Sequence, residues 1–209
     1  MDQLKIYVCH CSDLLERKQY IIQLFEKHGI TKYEFMEKFH KNDLTDEQKS
    51  KFVKDYKPST MSLHLKHNYL YSLIANSDDH AMIFEDDVIF CDRFKERFEA
   101  TLSELPSDFD LYYVGDGSYL HMEQWTPDKR VYRRYDGCAK CTDSYLIHNK
   151  CAKFLHRYIE DLKEPIELPI DHWLTATSKS QSLKVYWAEP TLVRQGTQYN
   201  VFKRSHDYE

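Results

Sequence analysis

AMIFEDDVIF, at residues 81–90, sets four apolar residues directly before the carboxylates Glu85, Asp86 and Asp87 and resumes an apolar run after them. Ala81 to Phe84 reads as a short central strand, buried on both faces, so the acidic triplet falls at its carboxyl end. Ligands of open α/β sheets collect at that edge. Three adjacent carboxylates repel one another, and any that are buried require a cation, hydrogen-bond donors or protons. Hard divalent ions such as Mg²⁺ or Mn²⁺ take oxygen ligands, commonly one or two carboxylates with substrate phosphates filling other positions. A solvated acidic turn is the competing reading, and the position after the apolar strand favours the metal.

Outward from the triplet, strands and helices alternate. Lys5 to Cys11 predicts a first strand, Leu14 to His28 a helix closed by a left-handed cap at Gly29, and Tyr33 to Phe39 a second strand. Asn42 to Pro58 is polar and reads as an exposed helix or a loosely ordered segment. Thr60 to Asn76 predicts a helix leading into the central strand. Phe94 to Leu105 is a further helix, Leu111 to Val114 a strand, and Gly115-Asp116-Gly117 a turn directly after it. Ser144 to Ile147 reads as a strand, Lys150 to Leu162 and Ile170 to Ser178 as helices, and Val185 to Ala188 as a last strand. No internal repeat is present, and the alternation implies an α/β domain with a mostly parallel sheet flanked by helices.

At 209 residues the chain fits one domain, 1–209. Its net charge of -5, with basic residues scattered among acidic ones, argues against nucleic acid as a partner. No run approaches the roughly 20 apolar residues of a spanning helix. The start, MDQLKIYVCHC, lacks the layout of a secretory signal, so the expectation is a cytoplasmic protein with reduced thiols. Cys138 and Cys141 have zinc-knuckle spacing, and Cys9 with Cys11 would complete a four-thiolate set if the two pairs met. The oligomeric state is not encoded in any pattern of this sequence.

The run MIFEDDVIFCDRF, residues 82–94, resembles the hallmark of the family 25 glycosyltransferases, the lipooligosaccharide and procollagen galactosyltransferase group. Further segments are similar to that family in the same order: KIYVCHCSDLLERKQYIIQLFEKHGI at 5–30, SLHLKHNYLYSLI at 62–74, CTDSYLIHNKCAKFL at 141–155, PIDHWL at 169–174 and AEPTLVRQ at 188–195. The resemblance implies a GT-A-like, Rossmann-like fold. It also implies a Mn²⁺ or Mg²⁺ ion held against the diphosphate of a UDP-sugar, and transfer of galactose or glucose to a glycan, lipid-linked or protein hydroxyl, with inversion.

Residue by residue, the resemblance makes Asp87 the first metal ligand and Glu85 the second, with Asp86 facing the sugar or ribose. Alternation in an extended segment agrees in pairing Glu85 with Asp87 and turning Asp86 away. Asp171 is the implied general base, although an Asp at that place also suits a helix cap before His172. His67 is expected to contact donor or metal, Arg17 a phosphate, and Ser12 and Asp13 the base or ribose. Gln195 opens a tail, 195–209, expected to close over the nucleotide and to bring His206 as a third metal ligand. Tyr119, Trp125, Tyr132 and Tyr135 are placed to stack on acceptor sugars. Two other classes compete: a metal-dependent phosphohydrolase, which releases phosphate without an acceptor, and a non-catalytic nucleotide- or carbohydrate-binding module.

Overall fold

A computed structural model describes residues 1, 4–77 and 80–203. Nine strands and six helices follow one another as β1 (Lys5–Cys9), α1 (Leu15–Lys27), β2 (Glu34–Met36), α2 (Asp46–Ser50), α3 (Pro58–Ala75), β3 (Ala81–Glu85), β4 (Val88–Phe90), α4 (Phe94–Leu102), β5 (Leu111–Tyr113), β6 (Val131–Arg134), β7 (Ser144–Ile147), α5 (Asn149–Glu160), α6 (Ile170–Ser180), β8 (Val185–Ala188) and β9 (Val193–Gln195), counted among the described residues. Seven strands form one sheet in the order β2-β1-β3-β7-β5-β8-β6, and β4 with β9 forms a separate pair. Five of the seven point the same way, while β7 and β6 run against their neighbours.

The period-2 alternation of the strands divides the core into two layers. Tyr7, Ile83, Tyr113, Tyr145 and Trp187 face one side, against α3, α5 and α6. Val8, Met82, Phe84, Tyr112 and Leu146 face the other, against α1 and α4. The result is the expected α/β domain with helices on both sides of the sheet. Among the described residues no helix is long and apolar enough to cross a membrane.

Local chemistry accounts for the element ends. Gly29 takes φ +66°, and the chain closes α1 with Gly29 N–H on the Glu26 carbonyl and Ile30 N–H on the Phe25 carbonyl. This is a Schellman cap, and it favours a residue without a Cβ. Thr45 and Gln48 form a reciprocal capping box on α2. Segment 42–58 is consequently better anchored than its polarity suggests: Leu44 and Phe52 are buried, and Phe52 bridges to Ile166. Three strands escaped the sequence reading, β4, β6 and β9, each of three or four residues and each held by its pairing rather than by its own pattern.

Leu155 on α5 is fully buried in the layer shared with α3, whereas Leu15 on α1 is 68% exposed. Leu155→Ala is expected to destabilise the fold by about 2–5 kcal/mol in urea unfolding, and Leu15→Ala by no more than about 0.5 kcal/mol.

Candidate active site

β3 ends at Glu85, and the turn of Asp86 and Asp87 leads into β4. Because β7 runs antiparallel between β3 and β5, its amino end lies beside their carboxyl ends, with Phe84 opposite Ser144. Thr142 and Asp143 are thereby delivered to the same edge as the triplet. β5 brings Asp116 in the turn that follows it, and β9 brings Gly196 and Thr197.

The three carboxylates have different partners. Asp86 turns toward the α1 layer: Arg17 Nη1 lies 2.8 Å from its Oδ1, His10 Nδ1 lies 2.7 Å from its Oδ2, and the Cys11 N–H donates to the same oxygen at 3.2 Å. Burial by itself raises the Asp86 carboxyl, but the His10 hydrogen bond and the Arg17 guanidinium outweigh it and hold the group below its ordinary value. Asp86 forms part of the wall of a cavity of about 120 Å³ together with Cys9, Cys11, Arg17 and Lys66. Both of its oxygens are engaged by the protein, so its place is that of an anchor for the turn rather than the sugar contact expected from sequence. Arg17 is likewise committed, to Asp86 and to the Lys203 carbonyl, rather than held free for a phosphate.

Glu85, which lines the same cavity, and Asp87 take different partners. Thr142 Oγ1 donates to Glu85 Oε1 at 2.6 Å, and Thr197 Oγ1 donates to Asp87 Oδ2 at 2.7 Å. Burial, with Asp87 close by, raises the Glu85 carboxyl well above its usual range. Asp87 is raised chiefly by burial. Asp143 is pushed up to about 8 by burial, with the nearby charges of Asp87 and Asp116 adding to it. Three buried oxygens of this cluster, Asp87 Oδ1, Asp116 Oδ1 and Asp143 Oδ1, accept no hydrogen bond among the described residues. Desolvated carboxylates with unused lone pairs suit a hard divalent cation. These residues do not by themselves close a compact cage: among the described residues, three donors within 4.8 Å of one another occur at Cys11, Asp13 and His40 instead. The cluster therefore fits an ion that draws its remaining ligands from a bound diphosphate.

The chain from Gln195 to Lys203 closes over this edge. Gly196 N–H donates to the Asp87 carbonyl at 2.6 Å, and a Cβ at Gly196 would lie 2.6 Å from the Phe202 ring and 2.7 Å from that carbonyl. Only glycine allows so close an approach. Tyr199 donates to Asp116 Oδ2 at 2.6 Å, the Phe202 ring lies against Tyr20 and under the Arg17 guanidinium, and Gln195 accepts from the Gln198 amide. His206 lies outside the described residues.

The remaining expected residues fall in different places. Ser12 and Asp13 are exposed on the loop after β1, where Asp13 Oδ2 meets His40 Nε2 at 2.8 Å. His67 is fully buried, with Nδ1 2.7 Å from the Tyr145 hydroxyl and Nε2 3.8 Å from Cys9 Sγ, and burial lowers it to about 3. With both ring nitrogens engaged inside the core, His67 packs rather than reaches a ligand. Asp171 lies in the first turn of α6 and is not its cap, since the helix begins at Ile170 after Pro169. Its charge acts on the same half-buried thiol as Asp143 and Glu85: desolvation first, then these carboxylates, push Cys141 up to about 12. Cys138 and Cys141 do not join Cys9 and Cys11 in a donor group, and all six cysteines are free thiols. Tyr132 is buried with its hydroxyl bonded to the Thr126 backbone, whereas Tyr119, Trp125 and Tyr135 remain exposed.

The sequence reading passed over Asp116, Asp143, Thr142 and Thr197. Asp116 was visible as a carboxylate directly after an apolar strand. Asp143 precedes its strand and becomes a site residue only because that strand is reversed. Lys140 was equally hidden: it is fully buried, pairs with Glu189 at 2.9 Å and packs over the Trp187 ring, bracing the loop that carries Thr142 and Asp143.

A sequence profile of glycosyltransferase family 25, described as LPS biosynthesis protein, matches residues 3–174. A protein of Acanthamoeba polyphaga mimivirus named procollagen lysyl hydroxylase and glycosyltransferase is 29% identical over 131 residues, which make up 57% of this chain and 14% of that relative. The chain therefore spans about one seventh of that relative's length. Among solved structures, a glycosyltransferase involved in the glycosylation of the major capsid of PBCV-1 aligns over 92% of this chain and 93% of its own, at 10% identity and a TM-score of 0.49. Mouse xyloside xylosyltransferase 1 aligns over 87% of this chain and 63% of its own, at 11% identity and a TM-score of 0.38.

Two outcomes follow from the geometry. Asp143 rises from 3.8 unfolded to about 8 folded, so the folded chain holds a proton that the unfolded chain has lost between those values. The stability it contributes is complete below about pH 4 and is lost as pH rises through about 8. Asp143→Asn, which cannot ionise, is expected to gain stability relative to the native chain across that window in urea unfolding at stepped pH. Arg17→Met leaves Asp86 buried without its cation and is expected to cost about 3–5 kcal/mol by the same measurement.

Proposed function

The chain belongs to glycosyltransferase family 25, and we propose that it transfers a hexose, galactose or glucose, from a UDP-sugar to a hydroxyl on a glycan, lipooligosaccharide or protein. The observation that supports this most directly is the buried, unpaired Asp87 Oδ1 beside the raised carboxyl of Glu85, at the edge of the sheet where ligands collect. Asp87 and Glu85 would hold Mn²⁺ or Mg²⁺, and His206, three residues beyond the seated Lys203, is the proposed third ligand. When bound, such an ion supplies charge compensation for a diphosphate leaving group.

The protein's own groups do the rest. Arg17 and His10 fix Asp86, which sets the direction of Glu85 and Asp87. Cys11 and Leu14 line the cavity proposed for base and ribose, Ser12 and Asp13 between them are proposed to meet the nucleotide at its rim, and the segment from Gln195 to Lys203 would exclude water from the diphosphate. Asp171 accepts the proton of the acceptor hydroxyl as that oxygen bonds to the anomeric carbon and the bond from that carbon to the diphosphate oxygen breaks, a single displacement with inversion. Exposed Tyr119, Trp125 and Tyr135 offer stacking surfaces for the acceptor. The name of the viral relative makes a procollagen peptide one acceptor to assay, and the family description makes a lipopolysaccharide core another.

Calorimetry with UDP, UDP-galactose, UDP-glucose and GDP-mannose, with and without Mn²⁺, tests the donor site. Metal-dependent binding of a UDP-sugar that disappears in Asp87→Ala is expected. Binding indifferent to metal, or to none of these nucleotides, overturns the reading. With donor and acceptor in hand, Asp171→Asn is expected to lower kcat by about 10²–10⁴ while keeping UDP affinity, and nuclear magnetic resonance of the product should report the inverted anomer. Release of phosphate without acceptor would instead point to a hydrolase, and UDP binding with no turnover to a binding module.

A further inference from the structure

A second donor set lies outside the carboxylate cluster. Cys11 Sγ, a carboxylate oxygen of Asp13 and a ring nitrogen of His40 all lie within 4.8 Å of one another. The residues come from two segments that meet because β1 and β2 pair in parallel, so that the loop after β1 and the loop after β2 leave the sheet side by side. Cys11 and Asp13 share a turn closed by the Leu14 N–H on the Cys11 carbonyl at 2.9 Å. Cys11 is pinned further by its own N–H on Asp86. On the other side, Phe39 takes φ +60° and its ring packs on Tyr69, which directs the chain into the turn that presents His40. The His40 side chain is only 15% exposed, whereas that of Asp13 is 57% exposed, so the trio is half-sheltered and open to water on one side.

The chemistry differs from that of the triplet. Thiolate, imidazole and a single carboxylate form the mixed sulfur, nitrogen and oxygen set that suits a borderline ion such as Zn²⁺ and is poorly matched to Mg²⁺. Asp43 Oδ2 stands 3.8 Å from His40 Nδ1, where a carboxylate can orient a ligating ring; the Asn42 N–H, which donates to the same nitrogen at 3.3 Å without metal, has to give way when that nitrogen is protonated. With Nδ1 as acceptor the ring proton sits on Nε2, facing Asp13. Moving that proton to Nδ1, toward Asp43, frees Nε2 for a metal and gives the carboxylate–histidine–metal arrangement that orients ligating imidazoles.

We propose that Cys11, Asp13 and His40 form a binding site for Zn²⁺, distinct from the carboxylate cluster and argued from residues that the transferase reading does not use as metal ligands. The ion bonds to the Cys11 sulfur, His40 Nε2 and an Asp13 oxygen. The Cys11 thiol proton is released to solvent, and the His40 proton stays on the ring at Nδ1. Three protein ligands leave a fourth position for water or an anionic oxygen. Cys11 and Lys41, the neighbour of His40, also line the cavity walled by Asp86, so the ion stands at the mouth of that cavity.

Co²⁺ added to the full chain provides the test, because thiolate ligation produces a charge-transfer absorption and a tetrahedral site an intense visible spectrum. One equivalent of Co²⁺ showing both signals, displaced by Zn²⁺, is expected. Cys11→Ser should abolish the thiolate absorption, and His40→Asn should weaken binding by at least about tenfold. Asp87→Ala and the double change Cys138→Ser, Cys141→Ser should leave the spectrum intact, and circular dichroism checks that each variant is folded. Absence of the thiolate absorption from the native chain, or its survival in Cys11→Ser, overturns the proposal. Its loss in the Cys138, Cys141 variant overturns it equally. Because the readout needs no nucleotide, failure here is separate from failure of the donor-binding experiment.

Discussion

The buried pairing of Arg17 with Asp86 is the interaction on which the rest of the site depends. A turn of three consecutive carboxylates between two short strands is electrostatically unfavourable unless at least one of them is neutralised within the protein. Arg17, reaching from α1, provides that neutralisation on one side of the turn, and His10, directly after β1, adds a hydrogen bond to the same carboxylate. Glu85 and Asp87 take hydroxyl partners from Thr142 and Thr197, and they feel the Arg17 charge without forming an ion pair among the described residues. The same guanidinium holds the Lys203 carbonyl and lies over Phe202, so one side chain links the triplet to the chain segment that covers it.

On the far side the charge balance is left open. Glu85, Asp87, Asp116 and Asp143 are gathered from three strand ends and one turn, and the hydroxyls of Thr142, Thr197, Tyr199 and Ser144 satisfy only part of their lone pairs. Hydroxyl donors orient carboxylates without cancelling their charge. A protein that stops at this point must either keep protons on these groups, as the raised Asp143 indicates, or accept a cation with its own ligands. Lys140 beneath the Asp143 loop is paired with Glu189, and its charge also acts on Asp143 and Asp116, so this buried cation offsets part of the cluster's charge without forming an ion pair with it.

The two donor sets divide between the two ends of one loop system. Oxygen ligands gather where β3, β5 and β7 meet, and the mixed thiol, imidazole and carboxylate set gathers where β1 and β2 end. Cys11 bridges them, since its backbone holds Asp86 while its side chain faces Asp13 and His40. Any change at the mouth of the cavity is therefore mechanically connected to the triplet through a single residue.

Much of the fold was legible in the sequence because it is local. Helical periodicity located α1, α3, α5 and α6, Gly29 marked its cap, and apolar runs located β1, β3, β5, β7 and β8. The triplet was legible for the same reason, as charge placed directly after an apolar strand; the separate partners of its three carboxylates were not, since Asp86 and Asp87 lie in a turn where the pleat no longer assigns sides. β4, β6 and β9 were not, since three or four residues carry no period and Val131–Arg134 is polar; their hydrogen bonds come from strands distant in sequence. Asp143 and Thr142 were hidden because strand direction is a tertiary property: in a wholly parallel sheet the start of β7 would lie at the opposite edge. Thr197 and Tyr199 depend on a β4–β9 pairing between segments about one hundred residues apart, and His67 looked like a ligand until the core supplied partners for both nitrogens. The sequence by itself determined the longer helices, the strands with an apolar run and the acidic turn, because these follow from neighbours within a few positions. Only the tertiary structure decided which carboxylates share the site and which are already neutralised, because desolvation and charge depend on distances in space that the order of residues along the chain does not contain.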